Sequence, residues 1–233
     1  MTRLIVRPCH LLFLGLAPRE GAISMGEGVT FPLVSLTRLR MGTDGPGVTT
    51  LVVGTGCPLR CLLCPNSYTW KGDCKHTDVS VQRLYDLVRR DDLYFQATGG
   101  GVCFGGGEPL LHVDYIREFR AACNGRWNIT AETSLNVPER NLSVAMECID
   151  HFIVDIKDMN PEIYRAYTGA DNACVVEGLR SLLEALDPDR VLVRVPHIPG
   201  YNSMEDVDRS IARLRSMGVR RIDEFRYVCP STT

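Results

Sequence analysis

Gly47-Val48-Thr49-Thr50-Leu51-Val52-Val53-Gly54-Thr55-Gly56-Cys57-Pro58-Leu59-Arg60-Cys61-Leu62-Leu63-Cys64-Pro65-Asn66 is the stretch on which the reading of this chain turns. Residues 48–53 are a short, apolar, β-branched run with a glycine on either side, which is the pattern of a buried strand. Three cysteines follow at once, spaced C-x3-C-x2-C.

Working outward, strand-like runs recur at 101–104, 129–133, 151–156, 191–195 and 222–228. Helical patterns fall between them. Thr77 or Asp78 is placed to cap a helix with Val81, Leu84, Tyr85 and Val88 on one face. Residues 113–122 put Ile116 and Phe119 three apart, and Pro138 opens the next helix near its first turn. Asn172 is expected to cap a helix over 173–186, and Ser203 one that runs to about Met217. Strand and helix alternate six times, which predicts a parallel sheet covered by helices. Six units are two short of a closed eight-stranded barrel. The expected fold is therefore α/β, a partial (β/α)6 TIM-like barrel with parallel strands, open on one side. A flat doubly wound sheet is the competing arrangement. Residues 1–35 are rich in Gly and Pro without a clear period and are read as an N-terminal extension of unknown role. Residues 36–233 show no repeat or linker and are read as one domain.

Composition narrows the function. Hydrophobic residues make up 45% of the 233 and charged residues 23%, as in an ordinary globular protein, and the net charge of -2 gives no electrostatic case for nucleic acid. No uncharged apolar run approaches the ~20 residues that span a bilayer. The apolar stretch 11–16 has Arg7, Pro8, Cys9 and His10 immediately before it, so no signal peptide is expected. Three of the 10 cysteines fall in the loop at 57–64, which suits a metal site in a reducing, cytoplasmic setting better than a disulfide framework.

In a β/α barrel the loop after the first strand lies on the face that carries the chemistry, which places Cys57, Cys61 and Cys64 there. Three thiolates at this spacing can hold three irons of a [4Fe-4S] cluster and leave the fourth open, sulfur being soft enough to select Fe–S or zinc. A structural zinc site would need a fourth ligand, from Cys74 or His76.

The C-x3-C-x2-C loop resembles that of the radical S-adenosylmethionine superfamily. Further segments are similar to its glycyl-radical-enzyme activating enzymes, of the pyruvate formate-lyase activating type. Asp44-Gly45-Pro46-Gly47 resembles the family's D-G-P-G ahead of the first strand. Gly99-Gly100-Gly101-Val102 with Gly105-Gly106-Gly107-Glu108-Pro109-Leu110-Leu111 resembles its G-G-G-V-x-x-x-G-G-E-P-L-L segment. Asp155-Ile156-Lys157 matches D-x-K, and Val195-Pro196-His197-Ile198-Pro199-Gly200-Tyr201-Asn202 its late P-G-x-N loop. The likeness covers residues 36–228, in order.

The resemblance implies one [4Fe-4S] cluster and S-adenosylmethionine as cofactors. Gly106, Gly107 and Glu108 would receive the cofactor's amino group. Glu132 and Thr133 would lie near its ribose or a bound monovalent cation. Asp155 and Lys157, two apart and so on one face of a strand, would hold the cation or ligand and the methionine carboxylate respectively. Their plainer reading is a structural salt bridge. Arg194, and Ile198 in the late loop, complete the implied contacts. The implied reaction is one-electron cleavage of the sulfonium to a 5′-deoxyadenosyl radical, which takes a hydrogen atom from a glycine of a partner glycyl radical enzyme. The cofactors carry that chemistry, so no acid–base catalytic residue is nominated. Flavodoxin or ferredoxin is the implied electron donor, and a monomer is expected.

This chain departs from the family pattern at Pro65, where many members have His, and at Leu63, where an aromatic is common. Tyr227-Val228-Cys229-Pro230 stands where the type enzyme has a cofactor-contacting His, and the usual C-terminal segment does not follow. These departures leave open a radical enzyme acting on another peptide or a small molecule. A non-enzymatic Fe–S or zinc protein is the remaining alternative. The other seven cysteines are read as core or incidental.

Overall fold

The computed structural model describes residues 28–227. Eight strands form one sheet in the order β3-β1-β2-β4-β5-β6-β7-β8. The six expected strands are β2 (Val48–Gly54), β4 (Gly101–Gly106), β5 (Asn128–Thr133), β6 (His151–Asp155), β7 (Val191–His197) and β8 (Arg221–Arg226). All six run parallel, each paired to the next. β8 does not pair back to the other edge, so the barrel is partial and open.

Two strands escaped the sequence reading. β1 (Thr30–Met41) pairs antiparallel with β2, and β3 (Thr77–Ser80) pairs antiparallel with the start of β1. β1 therefore runs through position 35, where the sequence divides extension from domain. β3 pairs with the first four residues of β1 only, Thr30–Leu33, and the residues of β1 mix Pro, Ser, Thr and Arg with apolar ones, as suits a strand near the margin of a sheet. Phe31 shows why it belongs to the core: it is fully buried, with ring centroids 5.7 Å from Phe104, 5.2 Å from His112 and 5.3 Å from Tyr115. Phe31→Ala is expected to cost about 3–5 kcal/mol, seen as a fall in denaturant midpoint. A change under about 0.5 kcal/mol would mean that β1 is dispensable.

The helices are α1 (Val81–Val88), α2 (Asp92–Thr98), α3 (Val113–Cys123), α4 (Glu139–Cys148), α5 (Pro161–Thr168), α6 (Ala173–Ala185) and α7 (Met204–Ser216). Thr77 and Asp78 lie in β3, and the cap of α1 is Ser80, whose Oγ accepts from Arg83 N. Asn172 sits at the start of α6 but its side chain donates to the Met159 carbonyl at 3.2 Å, while Asp171 takes the Ala173 N–H at 2.8 Å. Ser203 caps α7 as expected, in a capping box with Asp206. α2 and α5 were not foreseen.

The D-G-P-G loop packs closely against β5 and the residues that lead into β4. Buried Asp44 is ion-paired with Arg40, and a Cβ on Gly45 would strike the Thr130 hydroxyl. Gly47 has φ +63°, and a Cβ there would overlap Thr98 and the backbone of Gly100. Glycine is thus required by both conformation and space.

Candidate active site

The strands end together along one edge of the sheet, and the cysteine loop rises from the end of β2. Leu59 anchors it in the core, and it is fastened on both flanks by backbone hydrogen bonds. Gly56 N donates to Thr69 O at 2.9 Å, Arg60 N to Thr168 O at 2.9 Å and Leu62 N to Tyr167 O at 3.2 Å, the last two reaching the end of α5. The Arg60 guanidinium donates to Cys57 O at 2.6 Å and lies 4.8 Å from the centre of the Trp70 ring. Cys57, Cys61 and Cys64 are free and half-buried. Burial pushes the Cys57 thiol up to about 12 and that of Cys61 upward as well. Thiolates here therefore call for a cationic centre beside them.

Beside this loop, the end of β4 lies backbone against backbone. Gly107 N donates to Gly54 O at 3.2 Å and Glu108 N to Gly56 O at 2.7 Å, and a Cβ on Gly107 would overlap the Gly56 carbonyl. Gly106 has φ +88°. Glu108 is 2% exposed, and its carboxylate accepts four hydrogen bonds: from Thr133 Oγ1 (2.7 Å), Ser134 N (2.8 Å), Ser134 Oγ (2.7 Å) and Leu110 N (3.2 Å). Burial raises this carboxyl above its ordinary range against those donors. Glu108 thus ties the end of β5 to the end of β4, and Thr133 faces it. Ser134, the third member of this cluster, was missed; its only signal was adjacency to Thr133.

Deeper in the barrel, Glu132 accepts from Arg194 Nη1 at 2.8 Å. The same guanidinium donates to the Thr43 carbonyl and lies 3.8 Å from Asp223. A Cβ on Gly105 would sit 3.1 Å from the Glu132 carboxylate, so the glycine makes room for this pair. Burial raises the Glu132 carboxyl, with Arg194 opposing it. β6 ends at Asp155, one residue before the expected end, so Lys157 lies just beyond the strand rather than on it. Ile156 N still donates to Arg194 O at 3.0 Å, so the extended path continues and the two side chains meet. Lys157 Nζ donates to Asp155 Oδ2 at 3.2 Å and to the Tyr227 hydroxyl at 3.3 Å. Burial works to lower this ammonium, and Asp155 together with Tyr227, Cys61 and Tyr167 holds it well above the ordinary lysine range. Tyr227 thus reaches Lys157 through its hydroxyl. Ile198 is fully buried, and its N–H donates to Asn202 Oδ1 at 2.6 Å, closing the P-G-x-N loop on itself.

Three free thiols on one loop fit a cluster by the softness of their sulfur. A cubane takes each thiolate on a different iron. Among the described residues no three His, Cys, Asp or Glu side chains converge as a single metal ion would need. The glycines let the end of β4 pack backbone against backbone on the start of the cysteine loop, which brings the two together. Of the other cysteines, Cys103, Cys123 and Cys148 are buried, Cys74 is half-buried and Cys174 exposed; Cys9 and Cys229 lie outside the described residues.

An open parallel barrel with three thiols on its first loop defines a class: the chain belongs to the radical SAM superfamily, whose family model matches residues 51–222. Within it the chain groups with the activating enzymes of glycyl radical enzymes. It is 36% identical over 197 residues to the pyruvate formate-lyase-activating enzyme of Listeria monocytogenes serovar 1/2a, covering 80% of this chain and 78% of that one. It is 30% identical over 174 residues to the enzyme of the same name from Staphylococcus aureus (strain USA300), covering 71% and 68%. Indoleacetate decarboxylase activating enzyme of Tractidigestivibacter scatoligenes is 27% identical, covering 71% and 73%. Among solved structures, Streptococcus suis SuiB bound to S-adenosylmethionine superposes with a TM-score of 0.60 at 14% identity. That match covers 78% of this chain and 41% of SuiB, and shows the fold alone. The family implies a [4Fe-4S] cluster and S-adenosylmethionine. No helix among the described residues is long and apolar enough to cross a membrane.

Proposed function

We propose that this protein installs a glycyl radical on a partner glycyl radical enzyme. The observation that carries the reading is the meeting of the three-cysteine loop with the glycine edge of β4, in a chain 36% identical to an activating enzyme. Held by Cys57, Cys61 and Cys64, a [4Fe-4S] cluster would supply the electron for reductive cleavage of S-adenosylmethionine, the chemistry needed to remove a hydrogen atom from a glycine Cα of the partner.

The chain's own residues hold and shield. Cys57, Cys61 and Cys64 ligate the cluster. The backbone at Gly106 and Gly107 receives the amino group, with Glu108 keeping that edge rigid through its four hydrogen bonds. Lys157, paired with Asp155, stands for the methionine carboxylate. Glu132, Thr133, Arg194 and Ile198 shape the floor, with a monovalent cation beside Asp155 or Glu132. Flavodoxin or ferredoxin delivers the electron to a monomeric, cytoplasmic protein whose radical SAM domain takes in β1 from Thr30 onward, not from position 36.

Lys157→Met is expected to raise the Kd for S-adenosylmethionine about tenfold or more, because a hydrogen bond to a charged group contributes about 1.5–3 kcal/mol; equal binding by calorimetry would remove Lys157 from the site. The reading as a whole is tested anaerobically with reconstituted protein, pyruvate formate-lyase and any glycyl radical enzyme encoded beside it. A glycine-centred radical by electron paramagnetic resonance, with deuterium passing from Cα-deuterated glycine into 5′-deoxyadenosine, is the expected result. Cofactor cleavage with no radical on any such partner would direct the activity to another peptide or a small molecule.

A further inference from the structure

α5 carries two tyrosines that no expected contact uses. Both Tyr164 and Tyr167 have buried hydroxyls without a hydrogen-bond partner among the described residues. A buried hydroxyl left unpaired costs on the order of 1–3 kcal/mol, so such a group is uncommon unless something absent from the chain completes it. Here two occur within one turn of the helix whose last residues, Tyr167 and Thr168, fasten the cysteine loop through Leu62 N and Arg60 N. Tyr164 is 0% exposed, and burial above all pushes its phenol up; the charged groups of the site that bear on it are Cys61, then Lys157, Glu108 and Cys57. Tyr167 is turned instead toward Tyr227 and Lys157, with its ring 5.1 Å from Tyr201.

We propose that the Tyr164 hydroxyl donates a hydrogen bond to a sulfur of the cluster held by Cys57, Cys61 and Cys64, and that this bond sets how readily the cluster accepts its electron. The inference rests on the reading of those cysteines as cluster ligands. A donor to sulfur stabilises the more electron-rich, reduced form and so raises the reduction potential. The pairing also explains why the phenol is left without a partner inside the chain: an O–H beside thiolate or sulfide sulfur needs none.

The test uses reconstituted wild-type protein, Tyr164→Phe and Tyr115→Phe. Tyr115 is a buried tyrosine on α3 whose hydroxyl already has a partner, the Ser80 carbonyl at 3.1 Å. Iron and sulfide are counted, and the reduced fraction is followed by electron paramagnetic resonance during a redox titration. In Tyr164→Phe the reduced-to-oxidised ratio at a fixed potential is expected to fall about tenfold, a shift of about 59 mV for one electron. Iron content stays the same, and Tyr115→Phe keeps the wild-type potential. The stability of cluster-free Tyr164→Phe is expected to be unchanged or higher, because the deleted hydroxyl had no partner. A Tyr164→Phe protein with wild-type iron and wild-type potential overturns the proposal. Should Tyr164→Phe take up no iron, Tyr164→Met carries the same measurement with the same two outcomes. Wild-type protein that takes up neither iron nor sulfide refutes the cluster reading itself, which is a different result.

Discussion

Cys61→Ala is expected to abolish both the cluster and the formation of 5′-deoxyadenosine. Cys61 sits in the middle of a loop held on one flank by α5 and on the other by the residues after Cys64, so neither neighbour can move in to replace the lost ligand. Even changes outside the ligand shell of a metal site cost 10–100-fold; loss of a ligand is expected to cost more than about a hundredfold in turnover. The fold should survive, because the thiol is only half-buried and its loss removes little apolar surface. Iron, sulfide and 5′-deoxyadenosine are measured after anaerobic reconstitution, with circular dichroism for the fold. Cys74→Ala, which alters a half-buried cysteine outside the ligand set, serves for comparison and should retain all three. A Cys61→Ala protein that still cleaves the cofactor would refute the ligand assignment. Purified protein containing zinc, with no cofactor-dependent change in the reduced-cluster signal, would remove the enzymatic reading altogether.

Gly107→Ala is the second change with a large expected effect, and it acts through a single methyl group. The new Cβ would overlap the carbonyl oxygen of Gly56, a backbone atom that cannot rotate away. Either the end of β4 or the start of the cysteine loop must shift, at a cost of about 1–3 kcal/mol for such overpacking. The shift would break the hydrogen bonds from Gly107 N to Gly54 O and from Glu108 N to Gly56 O. These bonds hold the glycine edge against the cysteine loop. The expected outcome is a fall in Tm together with a rise of at least about tenfold in the Kd for S-adenosylmethionine, each 1.4 kcal/mol being a factor of ten. Gly72→Ala is the control, since a Cβ there meets no atom within 4 Å, and its effect should stay within about 0.5 kcal/mol. If Gly107→Ala bound the cofactor as tightly as the wild type, at an unchanged Tm, bare backbone at this edge would have no role in recognition.

Arginine dominates the positive charge of this chain: of 26 basic residues three are lysine, Lys71, Lys75 and Lys157. Only the last is buried, and the reason is local to the site. A lysine end group paired with Asp155 and the Tyr227 hydroxyl presents a compact charge at the strand ends. The D-x-K spacing made that pairing legible from sequence. Its partner Tyr227, 70 residues away, was visible only as a departure from a family pattern.

The six parallel strands and the cysteine loop could be read because their signals are local. A buried parallel strand is a continuous apolar run, and three cysteines on one loop are visible from spacing alone. β1 and β3 could not be read in this way: each is stabilised by pairing across the edge of the sheet, so its own residues need not alternate cleanly. α5 was missed although its start and stop are written in sequence, with Asn160 capping it, Pro161 at its first position and Gly169 after it. With it went Tyr164 and Tyr167. Glu108 is the sharpest case. Its place after the glycines was legible, but its four hydrogen bonds come from the residues at 110, 133 and 134. Sequence by itself determined the cysteine loop and the six parallel strands that support it, since both are written in short-range pattern. Tertiary structure alone decided which polar groups are spent on holding the site together and which remain unpaired beside the cysteines, because a hydrogen bond is assigned by proximity in space.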